Sequence, residues 1–368
     1  MKIPVANTFI GEEEASKVYK TIKSGWISMG KKVQKFEADF AKFVNCKYAI
    51  AVNSGTAALH LALIASDIKS DDHVLVPDIT FASTAKVVLY ENAKPILVEC
   101  DPRTYNIDLL DAEKKITKKT KAIISVDMNG MPVDYDKITK FAKKYNLKFI
   151  SDSAESLGAI YKDRKVGSIA PIHAFSFFPN KNLTTGEGGM ITLNNKKMYE
   201  YIKKLRTMGQ IERYNHQYLG YNYRMTDIAA SIGIEQLKKV KQNIRYKQKI
   251  ADKYDLAFKN NSSLETPYIP KYVTQHAWYS YTISLSKKLN RDKIRNELKK
   301  NGIETRVSFP PLHTQPFLKG HLKPNNNSLP ISEKAWKKLI NIPLWRGLNN
   351  REIAYVIDKI DSLVLSGL

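Results

Sequence analysis

Cysteine is scarce in this chain: Cys46 and Cys100 are the only two in 368 residues. Two cysteines cannot form the disulfide framework that stabilises small secreted domains. The chain does not need one, because 43% of its residues are hydrophobic and can fill a sizeable core. We therefore expect a folded protein of a reducing compartment, the cytoplasm.

Long apolar runs are missing as well. No segment approaches the roughly 20 consecutive apolar residues that a membrane span requires. The first six residues, MKIPVA, contain no apolar stretch of signal-peptide length. We expect a protein with no membrane partner.

Acidic residues are few beside basic ones, 36 against 59, which gives a formal net charge of +23. Such a charge raises the hypothesis of a nucleic-acid partner. The lysines, however, are spread over the polar faces of many predicted helices, and no aromatic residues are interleaved with them in a binding motif. The pattern favours a lysine-rich solvated surface and no nucleic acid, although the positive field would attract a phosphorylated ligand.

The sequence has neither a Walker phosphate loop nor a dinucleotide GxGxxG motif, and we predict no metal site. It does have short apolar strands, such as 49–52, 73–76 and 122–126, that alternate with helical segments. This alternation is typical of an α/β fold with a mostly parallel, doubly wound sheet. We place a large domain at residues 1–260 and a smaller α+β domain at 261–368. The smaller domain includes a predicted strand at 305–307 and a predicted helix at 333–339.

Several polar or aromatic residues follow the predicted strands directly. They are Ser54, Phe81, Asp127, Asp152 and Lys181. In doubly wound sheets ligands bind at the carboxyl ends of the strands, so these residues predict one binding edge.

Lys181 lies on a predicted loop between two buried strands, after Pro179 and before the glycine-rich segment 186–189. A lysine fixed in this way can hold an amine against a carbonyl, as in a Schiff base with a pyridoxal cofactor. The alternative is a surface loop whose glycines only make turns.

Other candidates also have a structural interpretation. Asp152 could pair with a pyridinium N–H or could cap a helix. Residues 53–56 could bind phosphate at a helix start or form an ordinary cap. Trp26 and His313 could line a binding site or only pack.

Five motifs then occur in order: NSGTAAL at 53–59, TFAS at 80–83, DSAESLGA at 152–159, SFFPNK followed by TTGEGG within 176–189, and GYNYRMT at 220–226. From about Gly25 to the C-terminus the chain resembles the DegT/DnrJ/EryC1/StrS family of sugar-nucleotide aminotransferases. The resemblance implies fold type I, with pyridoxal 5'-phosphate (PLP) as the cofactor and its amino form (PMP) as an intermediate. Family members that are dehydrases carry histidine where this chain has Lys181, so transamination is implied.

The resemblance also implies roles for matching residues. Lys181 would be catalytic, would bind the cofactor as an imine and would need a pKa below its ordinary value. The other implied cofactor-binding residues are Gly55, Thr56, Phe81, Asp152, Glu155, Ser176 and Asn222. Asn222 would reach the neighbouring subunit of a homodimer. The implied substrate-binding residues are Trp26, Ser28, Asp127, Asn129, Arg224 and His313.

Within the family the chain looks most similar to the enzymes that aminate C4 of GDP-linked sugars. The implied substrates are GDP-4-keto-6-deoxymannose and L-glutamate. Two alternatives stay open within enzymes: amination at C3, and a UDP- or dTDP-linked keto sugar. A hypothesis from another class is a basic nucleic-acid-binding or regulatory protein on the same fold.

Overall fold

The computed structural model describes residues 2–321 and 328–367. The helices in these residues are α1 (Glu12–Lys23), α2 (Lys31–Val44), α3 (Gly55–Ala65), α4 (Ser83–Tyr90), α5 (Leu109–Lys114), α6 (Tyr135–Lys144), α7 (Lys196–Arg206), α8 (Asp227–Phe258), α9 (Arg291–Lys300), α10 (Pro330–Trp336) and α11 (Asn350–Leu365). The strands are β1 (Tyr48–Val52), β2 (His73–Pro77), β3 (Lys94–Val98), β4 (Thr120–Val126), β5 (Lys148–Asp152), β6 (Ile160–Tyr161), β7 (Arg164–Lys165), β8 (Ile172–Ser176), β9 (Gly189–Leu193), β10 (Gln210–Glu212), β11 (Asn215–His216), β12 (Leu264–Glu265), β13 (Val273–Gln275), β14 (Tyr281–Leu285) and β15 (Leu339–Ile342).

The central sheet has seven strands in the order β1-β9-β8-β5-β4-β2-β3. The pairs β2–β3, β2–β4, β4–β5 and β5–β8 are parallel, whereas β9 runs antiparallel to both β8 and β1. The predicted mostly parallel α/β sheet is therefore confirmed.

Helices cover both faces of this sheet, which explains why its strands are apolar without alternation. In β1, Ala49 and Ala51 pack into the core on one face, while Ile50 and Val52 pack into the core on the other. Burial on both faces is what a crossover topology imposes on parallel strands. The carboxyl ends of the parallel strands consequently meet at one edge.

The C-terminal part contains a second sheet, β12-β14-β15, packed against α9, α11 and the end of α8. Two segments cross the predicted boundary after residue 260. Ile3 pairs with Ile303, and β13 pairs with β6. The chain thus passes between its two parts more than once, and the boundary itself stays a prediction.

Two sequence predictions in this part were wrong. The strand predicted at 305–307 is only an isolated bridge between Arg306 and Asn341. The predicted helix 333–339 already ends at Trp336. Leu339, the last residue of the predicted helix, begins β15 instead, because pairing with β14 supplies its hydrogen bonds. In the described ranges none of the helices has the length and apolar character needed to cross a membrane.

Candidate active site

A cavity of ≈ 360 Å³ opens at the carboxyl edge of the central sheet. Its walls come from the strand ends, the start of α3, the loop after β8, and two segments of the smaller part. They are formed by Ser54, Gly55, Thr56, Leu59, Thr80, Phe81, Ser83, Val126, Asp152, Ala154, Glu155, Ser176, Phe178, Asn180, Lys181, Glu187, Tyr279 and Phe309. Eight residues were predicted to bind the cofactor, and all of them except Asn222 line this cavity. They are Gly55, Thr56, Phe81, Asp152, Glu155, Ser176 and Lys181.

Lys181 extends its amine into this cavity from the turn that follows β8. Its Nζ lies 3.3 Å from Oε1 of Glu155 and 4.1 Å from the ring centroid of Tyr279. Burial alone would lower the pKa of Lys181, but Tyr279, Glu155 and Asp152 outweigh it and raise that pKa. The expectation of a lowered pKa is therefore wrong for the protein without its cofactor, because acidic neighbours surround the amine.

Tyr279 is a cavity residue that the sequence did not reveal. It precedes β14 in the smaller part and reaches the site because Ala277 N–H donates to the Gly130 carbonyl at 3.0 Å. Gly130 has φ +89°, and a Cβ there would lie 2.9 Å from the Tyr279 nitrogen. The close approach of the segment 277–279 therefore requires glycine at this position. A cation close to a buried aromatic face is stabilised, and the ring therefore holds the Lys181 amine in place.

Asp152 ends β5 and is 5% exposed. Its Oδ2 accepts a hydrogen bond from the Thr84 hydroxyl at 2.9 Å, and its Oδ1 accepts one from Ala154 N–H at 3.2 Å. Burial raises the pKa of Asp152 to about 6, since two hydrogen bonds do not replace the lost water. A cationic partner would restore the ionised form.

The start of α3 forms another wall. Ser54 caps the helix by accepting from Ala57 N–H at 3.1 Å. Gly55 and Thr56 line the cavity, and first-turn N–H groups have no acceptor within their own helix. A Cβ on Gly55 would come within 2.7 Å of the Ser176 Cβ, so glycine permits this close approach. N–H groups beside a serine hydroxyl form a site for an anion of phosphate type.

Two aromatic rings close the cavity on another side. Phe81 is 59% exposed and packs edge-on against Phe309, with ring centroids 5.7 Å apart. Phe81 was predicted to stack on a ring, whereas Phe309 lies in the Pro-rich segment before His313 and was missed. The exposed face of Phe81 remains free to cover a planar ligand.

Four of the predicted residues outside this cavity are exposed or half-buried. Trp26, Ser28 and Asn222 are exposed, and the Arg224 Nε donates to Oδ1 of Asn222 at 3.0 Å. Their predicted contacts with substrate or with a neighbouring subunit stay predictions.

The predicted sugar contact by Asp127 is wrong. Asp127 is 0% exposed, and its carboxylate accepts from Tyr135 at 2.7 Å, Ser156 at 2.5 Å and Ser153 at 3.2 Å. Val133 N–H donates to the other oxygen at 2.9 Å. Burial raises the pKa of Asp127 to about 6, and these donors favour the ionised form. Asp127 therefore holds the loops after β4 and β5 together beneath the cavity.

Asn129 is also not the sugar contact that was predicted. Its side chain is directed away, with Oδ1 accepting from the Ser280 hydroxyl at 2.8 Å. Its backbone N–H donates to Oε2 of Glu155 at 2.8 Å. Asn129 thus orients Glu155, because that bond leaves Oε1 to face Lys181.

Replacement of Asp127 by asparagine should destabilise the protein by about 2 to 3 kcal/mol, because the amide cannot accept from all of these donors. The free energy of unfolding in urea measures this. The Michaelis constant for the sugar substrate should change little at temperatures where the variant is folded. A large increase in that constant with unaltered stability would instead support the sugar contact.

His313 likewise is not open to a substrate. Its side chain is 4% exposed, with Nδ1 2.7 Å from Oδ2 of Asp78 and Nε2 3.2 Å from Oε1 of Glu333. Burial opposes protonation, but Asp78 and Glu333 outweigh it and raise the pKa of His313. The prediction is corrected: His313 ties the segment after Phe309 to the end of β2.

This pair should make stability depend on pH. A histidine whose pKa is raised by folding stabilises fully below its unfolded pKa of about 6.5, and the effect is lost as pH rises through the folded pKa. We expect His313→Asn to cost about 2 kcal/mol at pH 6 and progressively less towards pH 9, measured by urea unfolding. The exposed His216→Asn is the control, and an equal cost of His313→Asn at every pH would contradict this assignment.

Comparisons with known proteins identify the family of this chain. The model of the DegT/DnrJ/EryC1/StrS aminotransferase family matches residues 8–361. The GDP-perosamine synthase of Escherichia coli O157:H7 is 38% identical over 362 residues, with 98% of each chain covered. That of Caulobacter vibrioides is 37% identical over 369 residues, with 99% of each chain covered. The PMP form of Spr1654 from Streptococcus pneumoniae, a proposed sugar aminotransferase, has a TM-score of 0.94 at 29% identity, covering 100% of this chain and 98% of that one.

The same Streptococcus pneumoniae protein has also been solved in a PLP form, with a TM-score of 0.93, 29% identity and 100% of each chain covered. Fold and site together define a PLP-dependent sugar aminotransferase. Lys181 lines the cavity at the carboxyl edge of the central sheet. The chain belongs to the DegT/DnrJ/EryC1/StrS aminotransferase family.

Proposed function

We propose that the cavity around Lys181 binds PLP in a defined orientation. Three features fit the cofactor. The buried carboxylate of Asp152 suits a protonated ring nitrogen, the α3 start with Ser176 suits the phosphate, and the exposed face of Phe81 suits the ring. The central observation is that the Lys181 amine shares one cavity with all three.

When bound, PLP supplies an electron sink that stabilises negative charge on the carbon bonded to the transferred nitrogen. Asp152 would keep the ring nitrogen protonated. Lys181 Nζ would carry the proton to and from the reacting carbon, since an amine at the cavity wall can reach both positions. Glu155 and Tyr279 would hold that amine at 3.3 and 4.1 Å, and Phe81 with Phe309 would exclude water on one side.

Lys181 must also lose the proton that its neighbours favour. Asp152, paired with a cationic ring, would no longer raise the pKa of Lys181 as a free charge does. Lys181 would then act on the reacting carbon as the uncharged amine that is released when substrate takes its place on the cofactor. The raised pKa therefore describes the resting protein before loading and not the group that transfers the proton.

For the substrate, we infer a nucleotide-linked 4-keto-6-deoxyhexose, most simply GDP-4-keto-6-deoxymannose, with L-glutamate as amino donor. The similarity to two GDP-perosamine synthases over nearly the whole of each chain supports this choice. The product would be the 4-amino sugar for a polysaccharide such as an O-antigen, made in the cytoplasm.

A homodimer with shared sites is part of the proposal. Asn222 and Arg224 lie outside this chain's own cavity, with the Asn222 amide exposed, so they are available to a second copy. Trp26 and Ser28 are exposed as well, and we propose that they contact the substrate.

A substrate panel tests the proposal directly. The holoenzyme is incubated with L-glutamate and with GDP-, UDP- and dTDP-linked 4-keto sugars, and the aminated product is identified by mass spectrometry and NMR. We expect the GDP-linked sugar to be aminated at C4 with the highest kcat/KM. Amination at C3, or preference for a UDP- or dTDP-linked sugar, would overturn the substrate assignment and leave the reaction class intact.

A further inference from the structure

A second, much smaller cavity lies on the other side of the loop that carries Lys181. Asn180 and Lys181 line both spaces. The second one is enclosed by the chain before α1, by α8 and by the segment after β15. We call it the rear cavity; its walls are Ala6, Asn7, Phe9, Pro179, Asn180, Lys181, Asn182, Thr184, Gln236, Asn243, Lys247, Leu344, Trp345 and Arg346.

All charged residues in these walls are basic. They include the cations Lys181, Lys247 and Arg346, and no aspartate or glutamate is among them. One of these cations is already paired, because Lys181 lies 3.3 Å from Glu155, which lines the active-site cavity and not the rear cavity. Glu14 accepts from the wall residue Gln236, but it also pairs with Lys239 at 2.6 Å outside the rear cavity. Among the described contacts, Lys247 and Arg346 have no carboxylate partner.

Lys247 is the most deeply placed of the cations. It is 7% exposed, and its Nζ donates to Oδ1 of Asn182 at 2.8 Å. The orientation of that amide is fixed, because its Nδ2 donates to the carbonyls of Leu157 and Ala277 at 3.2 and 2.7 Å. An ammonium has three N–H donors, and a single neutral acceptor leaves most of its desolvation cost uncompensated.

Arg346, which is half-buried, contributes a second cation to the same walls. Its Nη1 donates to Oδ1 of Asn243 at 2.8 Å, and its guanidinium lies 3.8 Å from the ring centroid of Phe9. Both partners are neutral. Asn180 adds a buried Oδ1 with no hydrogen-bond partner, and rotation of this amide would present its N–H groups instead.

Size limits what could balance this charge. The rear cavity has ≈ 20 Å³ of room, and one water-sized ligand needs roughly 10–15 Å³ on the same measure. A sugar, an amino acid or a phosphate is too large. A single monatomic anion is the size of ligand that this room allows, and Lys247 and Arg346 are the wall cations whose hydrogen-bond partners are neutral.

We propose that the rear cavity is a binding site for one halide-sized monovalent anion, chloride under ordinary conditions, held mainly by Lys247 and Arg346. The anion would compensate a buried positive charge that the described residues do not compensate. It would also lie behind the catalytic lysine loop, close enough that its charge acts on Lys181. Burial and the nearby Lys181 charge together lower the pKa of Lys247 to about 8, with burial as the larger cause.

Anomalous scattering from bromide provides the direct test. Crystals of the holoenzyme are grown with sodium bromide replacing chloride. We expect an anomalous peak within hydrogen-bond distance of Lys247 Nζ and on the Arg346 side of the rear cavity. Density there without an anomalous signal would identify water and overturn the proposal.

A measurement in solution separates this site from general salt effects. The Tm of the holoenzyme is followed as chloride replaces gluconate at constant ionic strength. Binding to the folded state should give a rise in Tm that saturates. Lys247→Met should weaken the apparent chloride affinity by about 10- to 100-fold, since a charge-assisted hydrogen bond contributes on that order.

The matched control is Lys249→Met, which removes the same charge from an exposed position on α8. It should retain the chloride-dependent rise. Arg346→Gln, which should also weaken binding, serves if Lys247→Met fails to fold. An equal, unsaturable rise in all variants would contradict the site.

Discussion

Replacement of Lys181 by alanine should reduce turnover by at least about 10⁴-fold while the protein stays folded. The change removes both the covalent anchor of the cofactor and the group that moves the proton, and each contributes a large factor. The fold should persist because Glu155 keeps its hydrogen bond from the Asn129 N–H. Turnover of the purified variant with glutamate and a keto sugar, beside its far-UV circular dichroism, measures both effects.

Two comparisons sharpen this experiment. Lys181→Arg preserves a positive charge beside Glu155 and Tyr279 but cannot form the covalent link, so it should be as inactive as the alanine variant. Lys249→Ala, at an exposed position, should have wild-type turnover. Borohydride reduction should fix the cofactor to Lys181 in the wild type and in Lys249→Ala, but not in the two Lys181 variants. Undiminished turnover of Lys181→Ala would refute the assignment of the catalytic residue.

Replacement of Asp152 by asparagine should have opposite effects on activity and on stability. Turnover should fall by about 10²- to 10³-fold, because a neutral amide no longer stabilises positive charge on the ring nitrogen. The protein without cofactor should become more stable at pH 7. Burial raises the folded-state pKa of Asp152 to about 6, so the folded state binds more protons than the unfolded state between about pH 4 and pH 6.

The sign follows from this proton balance. Stability that depends on Asp152 decreases as pH rises through that window, and the cost persists at higher pH. A shift of about two pKa units corresponds to about 3 kcal/mol, which is the upper limit of the gain in Asp152→Asn. The Thr84 hydroxyl can reverse its hydrogen bond to accept from the new amide, so the variant loses little there. Urea unfolding of the cofactor-free protein from pH 4.5 to 8, in about half-unit steps, measures the difference.

Asp127→Asn is the matched control for this result. Asp127 and Asp152 follow adjacent strands, and burial raises the pKa of both to about 6. They differ in hydrogen bonding, since three hydroxyls and one backbone N–H converge on Asp127. The two asparagine variants should therefore shift stability in opposite directions. A loss of stability in Asp152→Asn without cofactor would show that its carboxylate is structural.

The sequence by itself determined the sheet, the edge at which ligands bind, and the placement of Lys181 and Asp152. The physical reason is local. Apolar runs buried on both faces specify parallel strands, and the residue after each strand is carried to the same edge by the topology. Lys181 and Asp152 needed no information beyond their own strands.

Only the tertiary structure decided the roles of Asp127 and His313. Each follows a segment whose pattern suits a site wall, but the fold surrounds each with partners from distant parts of the chain. Tyr135 and Ser156 converge on Asp127, and Asp78 and Glu333 converge on His313. A hydrogen-bond acceptor buried in this way cannot be told from an exposed one by its neighbours in sequence.

Tyr279 and Lys247 are the opposite case, since the sequence pattern did not predict that they lie beside the Lys181 loop. Neither lies in a motif. Tyr279 reaches the Lys181 loop from the smaller part of the chain, and Lys247 reaches it from α8. Distant segments of the chain that pack over a tyrosine or a lysine decide whether it lies at the surface or is buried beside the active site. Long-range contacts, such as the hydrogen bond between Ala277 and Gly130, determine which segments pack there. A local sequence pattern does not predict such contacts.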